Sequence, residues 1–194
     1  MAKLYFSYSA MNAGKSTLLL QASYNYQERG METLLLISAI ENRTRQGEIT
    51  SRIGLNQSAD IFTNDDDIYE FIRGRIEGKK IACIFIDEAQ WMSGEQIWQL
   101  AKVVDELGIP IMCYGLRTDF QGKTFPGSAG LLAIADEIRE VRTICWCGSK
   151  ATMVVRLDGE GKPLEEGEQI FVGGNESYVS LCRKHWSKRD LGNS

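Results

Sequence analysis

Hydrophobic and polar positions along the first 143 residues predict strands and helices in turn. Residues 3–8 alternate and are rich in Tyr and Phe, as a strand would be, and residues 15–29 carry apolar side chains at helical spacing up to Gly30. Ser93 followed by Gln96 is a capping-box pattern at the start of another helix. The remaining runs predict strands at 33–40, 80–86, 110–114 and 137–143, and helices at 65–78, 93–108 and 129–136. Strands that alternate with helices predict an α/β domain, in which a parallel sheet is covered on both faces.

Two stretches break this pattern. Residues 41–63 are polar and irregular and carry three arginines, at 43, 45 and 52, so we expect a long loop that is functional or mobile. After residue 143 the chain changes to short β-like runs at 151–157 and 168–172, separated by a turn-rich stretch. We therefore predict two domains, a larger one over 1–143 and a small one over 144–194.

Composition narrows the class of protein. The chain has 194 residues, 43% of them apolar and 25% charged, which suits one medium globular domain with a small attachment. The net charge of −4, from 22 basic and 26 acidic residues, argues against coating a nucleic acid. The N-terminus lacks the layout of a signal peptide, and no apolar run approaches the roughly 20 residues that would span a bilayer. We expect a cytoplasmic protein with neither membrane nor nucleic-acid partners.

A phosphate-binding loop is predicted between the first strand and the first helix. Backbone N–H groups of such a loop point at phosphate oxygens. Gly14 allows close approach, Lys15 reaches the β- and γ-phosphates, and the Ser16 hydroxyl can bind Mg²⁺. The loop comprises Ser9, Ala10, Met11, Asn12, Ala13, Gly14, Lys15, Ser16 and Thr17. The alternative, a polar turn that caps a helix, is disfavoured by the strand before it and by the acidic pair described next.

Two carboxylates, Asp87 and Glu88, directly follow the apolar run 81–86, as in a Walker B strand. Such a strand delivers them to the carboxyl edge of the sheet, where ligands of α/β proteins bind. Asp87 would hold the magnesium, and Glu88 would act as a general base toward a hydroxyl or a water. The alternative is a turn with two solvated acids. Together the motifs predict a RecA-like P-loop enzyme, with the acceptor, an alcohol or water, left open.

Three of the five cysteines lie near the C-terminus with the one histidine of the chain. Three thiolates and one imidazole form a sensible tetrahedral zinc shell with no open position for catalysis. The alternative is free thiols and a surface histidine. Against it, the four residues lie in one stretch of 41 residues, in a segment too small to build its own core. The predicted zinc ligands are Cys145, Cys147, Cys182 and His185.

Three stretches carry a resemblance that covers nearly the whole chain: YSAMNAGKST at 8–17, CYGLRTDF at 113–120 and GGNESYVS at 173–180. With them the sequence resembles the thymidine kinases shared by many bacteria and animal cytosol. The resemblance implies transfer of the γ-phosphoryl group of ATP to the 5′-hydroxyl of deoxythymidine, with Mg²⁺, and with Glu88 as the base. It places Asp87, Glu88, Ala89 and Gln90 in the magnesium and nucleotide site. It also implies a homotetramer and inhibition by dTTP.

The same resemblance implies a nucleoside pocket. Residues 115–125 match the loop that forms it, where Leu116, Phe120 and Phe125 line or support the pyrimidine slot, with Trp91 and Met11 nearby. From the residues alone, the two phenylalanines would be ordinary core. Arg43 matches an arginine near the transferred phosphate. A lasso loop would close over thymidine with its base anchored by the zinc, and its residues are Val172, Gly173, Gly174, Asn175, Glu176 and Tyr178.

Two other classes of protein share some of these motifs. A DNA-dependent, RecA-like ATPase with a zinc ribbon would have the phosphate loop, the acidic pair and the zinc. The net acidity, the small size and the lack of a basic stripe with stacking aromatics argue against it. A regulatory nucleotide switch would not need a base such as Glu88. DNA-stimulated ATP hydrolysis would favour the first alternative, and binding without turnover of an acceptor the second.

Overall fold

The computed structural model describes residues 1–40, 47–169 and 177–192. The strands in these ranges are β1 (Leu4–Ser9), β2 (Glu32–Ser38), β3 (Glu48–Thr50), β4 (Asn56–Ser58), β5 (Asp60–Phe62), β6 (Ile81–Asp87), β7 (Ile111–Leu116), β8 (Glu137–Glu140), β9 (Thr143–Ile144), β10 (Lys150–Ala151), β11 (Met153–Arg156) and β12 (Tyr178–Leu181). The α-helices are α1 (Lys15–Gln27), α2 (Ile68–Ile76), α3 (Gly94–Lys102), α4 (Pro126–Ile134) and α5 (Arg183–Ser187). None of the helices in these ranges combines the length and the apolar character that crossing a bilayer requires.

A six-stranded parallel sheet lies at the centre, in the order β5-β2-β6-β7-β1-β8. Alternate residues of a strand point to opposite faces, and the two faces bury different sets of side chains. Leu36 and Ile86 pack with α2, α3 and α4 on one face. Leu35 and Phe85 pack with α1 on the other face. The predicted α/β architecture, a mostly parallel sheet between helical layers, is confirmed.

The helix after Ser93 begins where the sequence predicts. The Ser93 hydroxyl accepts a hydrogen bond from the Gln96 N–H (3.1 Å), and the Gln96 side-chain carbonyl accepts one from the Ser93 N–H (3.2 Å). Beyond Lys102 the helix widens into a π-helical turn, Val103–Leu107, and it ends at Gly108, whose φ of 66° suits glycine. The predicted span of 93–108 is therefore confirmed, with the last turn in a wider form.

The prediction of an irregular loop over 41–63 is wrong for the part that the structure describes. β3 and β4 pair as an antiparallel hairpin, and β5 joins the edge of the main sheet beside β2. Each strand is only three residues long. Ile49 and Phe62 are fully buried among largely exposed polar neighbours, so the strands are too short to produce an alternating pattern.

Other elements also differ from the predictions. α4 begins at Pro126 rather than at 129, because proline is favoured in the first helical turn, where its missing N–H costs nothing. Residues 168–169 are not in a strand, and 170–172 lie outside the described residues. β12 was not predicted as a strand. It pairs antiparallel with β11, and this long-range pairing leaves no signal in its own short, mixed sequence.

Candidate functional site

The loop between β1 and α1 turns sharply, so that the first turn of α1 faces the carboxyl edge of the sheet. Asn12 and Gly14 both have left-handed backbone conformations, with φ of 63° and 83°. No side chain caps the N-terminus of α1, and its first turn contains no acidic residue. Backbone N–H groups in that position are available to an anion, and the helix dipole favours one there.

Lys15 lies at the base of this loop. Its side chain is only 8% exposed, and its Nζ donates a hydrogen bond to the Ser9 hydroxyl at 3.1 Å. The Ser9 hydroxyl in turn donates to the Ala10 carbonyl at 2.5 Å. A buried ammonium beside a helix N-terminus that no side chain caps forms a positive recess suited to phosphate groups.

A cavity of about 160 Å³ opens in front of the loop. Its wall includes both members of the acidic pair and residues 50–52 of the β3–β4 hairpin. Seven of the nine predicted loop residues line it: Met11, Asn12, Ala13, Gly14, Lys15, Ser16 and Thr17. Ser9 contacts the cavity wall through the hydrogen bond that its hydroxyl accepts from Lys15. The predicted phosphate-loop residues and the two carboxylates, which are distant in the sequence, therefore face one space.

Asp87 ends β6 and is 3% exposed. Burial and the charge of Glu88 raise the pKa of Asp87 to about 7, against the opposing effects of a hydrogen bond with Ser16 and the charge of Lys15. The two predicted magnesium ligands, Ser16 and Asp87, both lie on the wall of this cavity. A divalent cation beside such a carboxyl group would favour its ionised form, so the donor set of one carboxylate and one hydroxyl suits Mg²⁺.

Glu88 has a left-handed backbone conformation, with φ 54° and ψ 38°, which is uncommon for a residue with a side chain. It starts a 3₁₀ turn, Ala89–Trp91, and its N–H donates to the Asp87 carboxylate at 3.0 Å. This sharp turn brings the carboxylates of two consecutive residues to the same cavity. Ala89 and Gln90 are fully buried and, among the described residues, neither is part of the cavity wall.

An apolar cluster lies beside the cavity. Its buried members are Met11, Leu116, Phe120, Phe125 and Val154, with Trp91, Leu164 and Tyr178 half-buried around them. All the predicted nucleoside-pocket residues that the structure describes are in this cluster. Trp91 packs edge-on against Phe125, with ring centroids 5.1 Å apart. Within the described ranges the Trp91 indole N–H is buried without a hydrogen-bond partner, which marks a place for a polar acceptor.

Both ends of the segment that contains the predicted lasso are tied to this site. Upstream, the Gln169 amide donates to the buried Asp119 carboxylate at 2.8 Å. Downstream, the Ser180 hydroxyl donates to the Met11 carbonyl at 2.6 Å. The predicted site residues that lie outside the described residues are Arg43, Val172, Gly173, Gly174, Asn175 and Glu176.

The four predicted zinc ligands come together. Their ligand atoms all lie within 4.8 Å of one another, and the Nδ1 atom of His185 lies 3.4 Å from the Cys145 sulfur and 3.5 Å from the Cys182 sulfur. Burial raises the pKa of the Cys145 thiol, whereas hydrogen bonds from Ser149 lower that of Cys147 to about 6. Three sulfurs and one imidazole nitrogen are a donor set that zinc prefers, and the group is compatible with a structural metal.

Arg52 is a cavity residue that the sequence did not single out. It follows Ser51, whose N–H donates to the Leu55 carbonyl at 2.7 Å and whose hydroxyl accepts from the Leu55 N–H at 3.0 Å. These bonds form the tight tip of the β3–β4 hairpin, which places Arg52 on the cavity wall. The sequence favoured Arg43 among the three arginines because of the resemblance. Nothing local in the sequence indicates that the hairpin folds back over the phosphate loop.

Comparison with known proteins agrees with this geometry. A family model described as thymidine kinase matches residues 2–186. A protein named Thymidine kinase from Rhizobium meliloti is 65% identical over 192 residues, covering 97% of this chain and 98% of the relative. Proteins of the same name from Ruegeria pomeroyi and Rhizobium etli are 64% and 66% identical, each covering 96% of this chain and 94% of the relative. The match spans both the cavity residues and the Cys/His group, and the chain belongs to the thymidine kinase family.

Proposed function

We propose that this chain is an ATP-dependent thymidine kinase, which transfers the γ-phosphoryl group of ATP to the 5′-hydroxyl of deoxythymidine and yields dTMP and ADP. One observation carries the proposal beyond family membership. Met11 and Leu116 each belong to both the cavity with the lysine and carboxylates and the apolar cluster. A phosphate site and a site for the faces of a flat base therefore share a wall, as transfer between two bound substrates requires.

ATP binds with its phosphates on residues 9–17, which act as a P-loop in a RecA-like domain. The support is the uncapped N-terminus of α1 and the buried Lys15 beside the cavity. Ser16 and Asp87 are the residues that would hold Mg²⁺, since both line the cavity in front of the loop. When bound, the metal would supply positive charge that offsets the negative charge of the phosphate oxygens. Lys15, with Arg43 and Arg52 as further cations, adds to the same stabilisation.

Thymidine lies with its base against Leu116, Phe120 and Phe125, because an aromatic ring gains most from apolar and aromatic faces. Residues 172–178 close over it as a lasso and exclude water, which would otherwise compete as acceptor. The 5′-hydroxyl then faces Glu88. The Glu88 carboxylate accepts the hydroxyl proton as the oxygen attacks the γ-phosphorus, and ADP leaves with the bond electrons.

We also propose that residues 1–143 form the nucleotide domain and residues 144–194 a zinc-containing lasso domain. Support comes from the pairing of β9 with β10 and of β11 with β12, apart from the main sheet. Cys145, Cys147, Cys182 and His185 would hold the zinc, which stabilises the fold and takes no part in the reaction. From the family resemblance we add that the enzyme is a cytoplasmic homotetramer inhibited by dTTP.

The first experiment measures transfer of labelled γ-phosphate from ATP-Mg²⁺ to each of the four deoxynucleosides, with ATP hydrolysis followed with and without DNA. We expect selective labelling of thymidine at its 5′ position and no stimulation of hydrolysis by DNA. Absence of nucleoside labelling together with DNA-stimulated hydrolysis would overturn the proposal in favour of a DNA-dependent ATPase.

Replacing the base tests the assignment of Glu88. Glu88→Gln keeps the size of the side chain but removes the proton acceptor, so we expect kcat to fall about 10²- to 10⁴-fold. The KM values for ATP and thymidine should stay within a factor of about three, because shape and most polar contacts are retained. Steady-state kinetics on both substrates measures this. A Glu88→Gln enzyme with a normal kcat would show that another group accepts the proton.

A further inference from the structure

Behind the Glu88 carboxylate lies a side chain that the reaction described above does not use. Gln90 is fully buried. Its side-chain NH₂ donates to the Glu88 carboxylate, and its side-chain carbonyl accepts the Leu116 N–H at 3.0 Å. Chemistry fixes the orientation of this amide, because a carboxylate only accepts hydrogen bonds and a backbone N–H only donates them.

Two glycines pack their backbone closely against Gln90 and the turn that carries it. A Cβ atom on Gly115 would lie 2.8 Å from the Gln90 side-chain carbonyl oxygen and 3.1 Å from its backbone nitrogen. On the other side, a Cβ atom on Gly127 would lie 2.9 Å from the Met92 carbonyl oxygen and 3.0 Å from that of Gln90. Neither glycine has a positive φ. Space, rather than backbone conformation, therefore requires glycine at both positions, and the turn that carries Gln90 is enclosed by backbone.

We propose that Gln90 is a positioning residue for phosphoryl transfer, which holds the Glu88 carboxylate at a fixed place relative to the nucleoside pocket. Leu116, the other partner of the amide, lies on the shared wall of the cavity and the apolar cluster. One rigid side chain thus joins the base to the residue against which the substrate packs. The inference rests on the proposed role of Glu88.

The need for such a residue follows from the geometry of Glu88. Its carboxylate is half-buried at the end of a flexible side chain, on a strained backbone. Without Gln90, the carboxylate would sample several rotamers, of which only some reach a 5′-hydroxyl. A misplacement of about 1 Å lowers turnover by about a hundredfold, while the binding surfaces for both substrates are unchanged.

Two replacements separate the bonds that Gln90 makes. Gln90→Met keeps length and apolar volume but loses both hydrogen bonds. Gln90→Glu is nearly isosteric and keeps an acceptor for the Leu116 N–H, but it places a second carboxylate against Glu88. We expect both to lower kcat by about 10- to 100-fold, with KM values for ATP and thymidine changed less than about threefold.

The matched control is Gln96→Met. Gln96 is also a buried glutamine, and its amide donates to the carbonyls of Thr63 and Asp66 at 2.8 and 3.0 Å, away from the cavity. This variant should unfold at a lower temperature and keep the wild-type kcat. If the Gln90 variants lose thermal stability as it does but keep kcat, or if they raise KM alone, Gln90 is structural and the proposal is overturned.

A double variant distinguishes this failure from failure of the proposed function. If Gln90 acts through Glu88, Gln90→Met should lower kcat in the wild type but not further in the Glu88→Gln background. An equal loss in both backgrounds would overturn the positioning role. If Glu88→Gln alone is fully active, the assignment of the base fails, and the role of Gln90 fails with it. An inactive Glu88→Gln beside fully active Gln90 variants overturns the inference about Gln90 alone.

Discussion

Arg52 is the residue for which the structure departs most from what the sequence predicted. It is exposed at the tip of the β3–β4 hairpin, yet it lines the same cavity as Lys15 and the two carboxylates. A guanidinium group on that wall can contact the triphosphate, and charge-assisted hydrogen bonds to phosphate contribute roughly 1.5–3 kcal/mol.

We therefore expect Arg52→Ala to raise the KM for ATP about tenfold, which corresponds to about 1.4 kcal/mol, and to leave the KM for thymidine unchanged. Arg29→Ala is the matched control, because Arg29 is exposed beyond the opposite end of α1. Initial-rate kinetics with each substrate varied in turn would decide. Equal KM values for ATP in the two variants would remove Arg52 from the site.

The catalytic residues that the sequence predicted are those whose chemistry is encoded locally. Lys15 follows a glycine between a strand and a helix, and Glu88 follows an apolar strand, so a short window is enough to assign both. Arg52 and Gln90 could not be assigned in this way. The position of Arg52 depends on a hairpin that folds onto a distant loop. That of Gln90 depends on the hydrogen bond that its side-chain carbonyl accepts from the Leu116 N–H, 26 residues away.

At the scale of elements, the site depends on how closely α4 packs against the 3₁₀ turn. A Cβ atom on Gly127, in the first turn of α4, would overlap the Ala89 carbonyl oxygen. A glycine within α2 offers the contrast. Gly74 has an ordinary helical conformation, and nothing lies within 4 Å of where its Cβ atom would be.

Alanine should therefore have opposite effects at the two glycines. Gly127→Ala should lower the free energy of unfolding by about 1–3 kcal/mol, through overpacking, and should lower kcat because it displaces the turn that carries Glu88. Gly74→Ala should raise the free energy of unfolding by roughly 0.5–1 kcal/mol and leave kcat alone, since helix propensity improves. Urea denaturation and steady-state kinetics would test both. A Gly127→Ala protein as stable as the wild type would mean that α4 can move away from the turn.

Strands could be predicted from the sequence where burial requires a long run of apolar residues. β2 and β6 are continuous apolar runs, because both of their faces are covered by helices, and each was placed to within two residues. The β3–β4 hairpin and β12 were missed because they are short and bury few side chains each. Their pairing partners, rather than their own sequences, determine that they are strands.

In the whole molecule, a short chain of contacts joins the C-terminal elements to the apolar cluster where we propose that the nucleoside binds. The Cys/His group joins the β9–β10 turn, which carries Cys145 and Cys147, to Cys182 and His185 at the start of α5. β12 directly precedes Cys182, and its Ser180 donates to the Met11 carbonyl in the phosphate loop. A metal at the group would thus fix β12, and with it one end of the proposed lasso, against the apolar cluster.

Loss of the metal should consequently weaken thymidine binding and leave ATP binding intact. We expect Cys182→Ala to lose the bound zinc and to raise the KM for thymidine about tenfold or more, because a structural metal supplies folding free energy to the small domain that holds it. ATP binding should persist, since the uncapped N-terminus of α1, Lys15 and Asp87 belong to the main sheet and its first helix.

Elemental analysis, thymidine kinetics and direct titration with ATP would measure the three effects. Ser187→Ala is the control, because that exposed hydroxyl donates to the Lys184 carbonyl within α5 and, among the residues that the structure describes, to no other partner. A Cys182→Ala protein that keeps its metal and its affinity for thymidine would exclude the Cys/His group as the anchor of the lasso. A simultaneous loss of ATP binding would instead show that the two proposed domains fold as one unit.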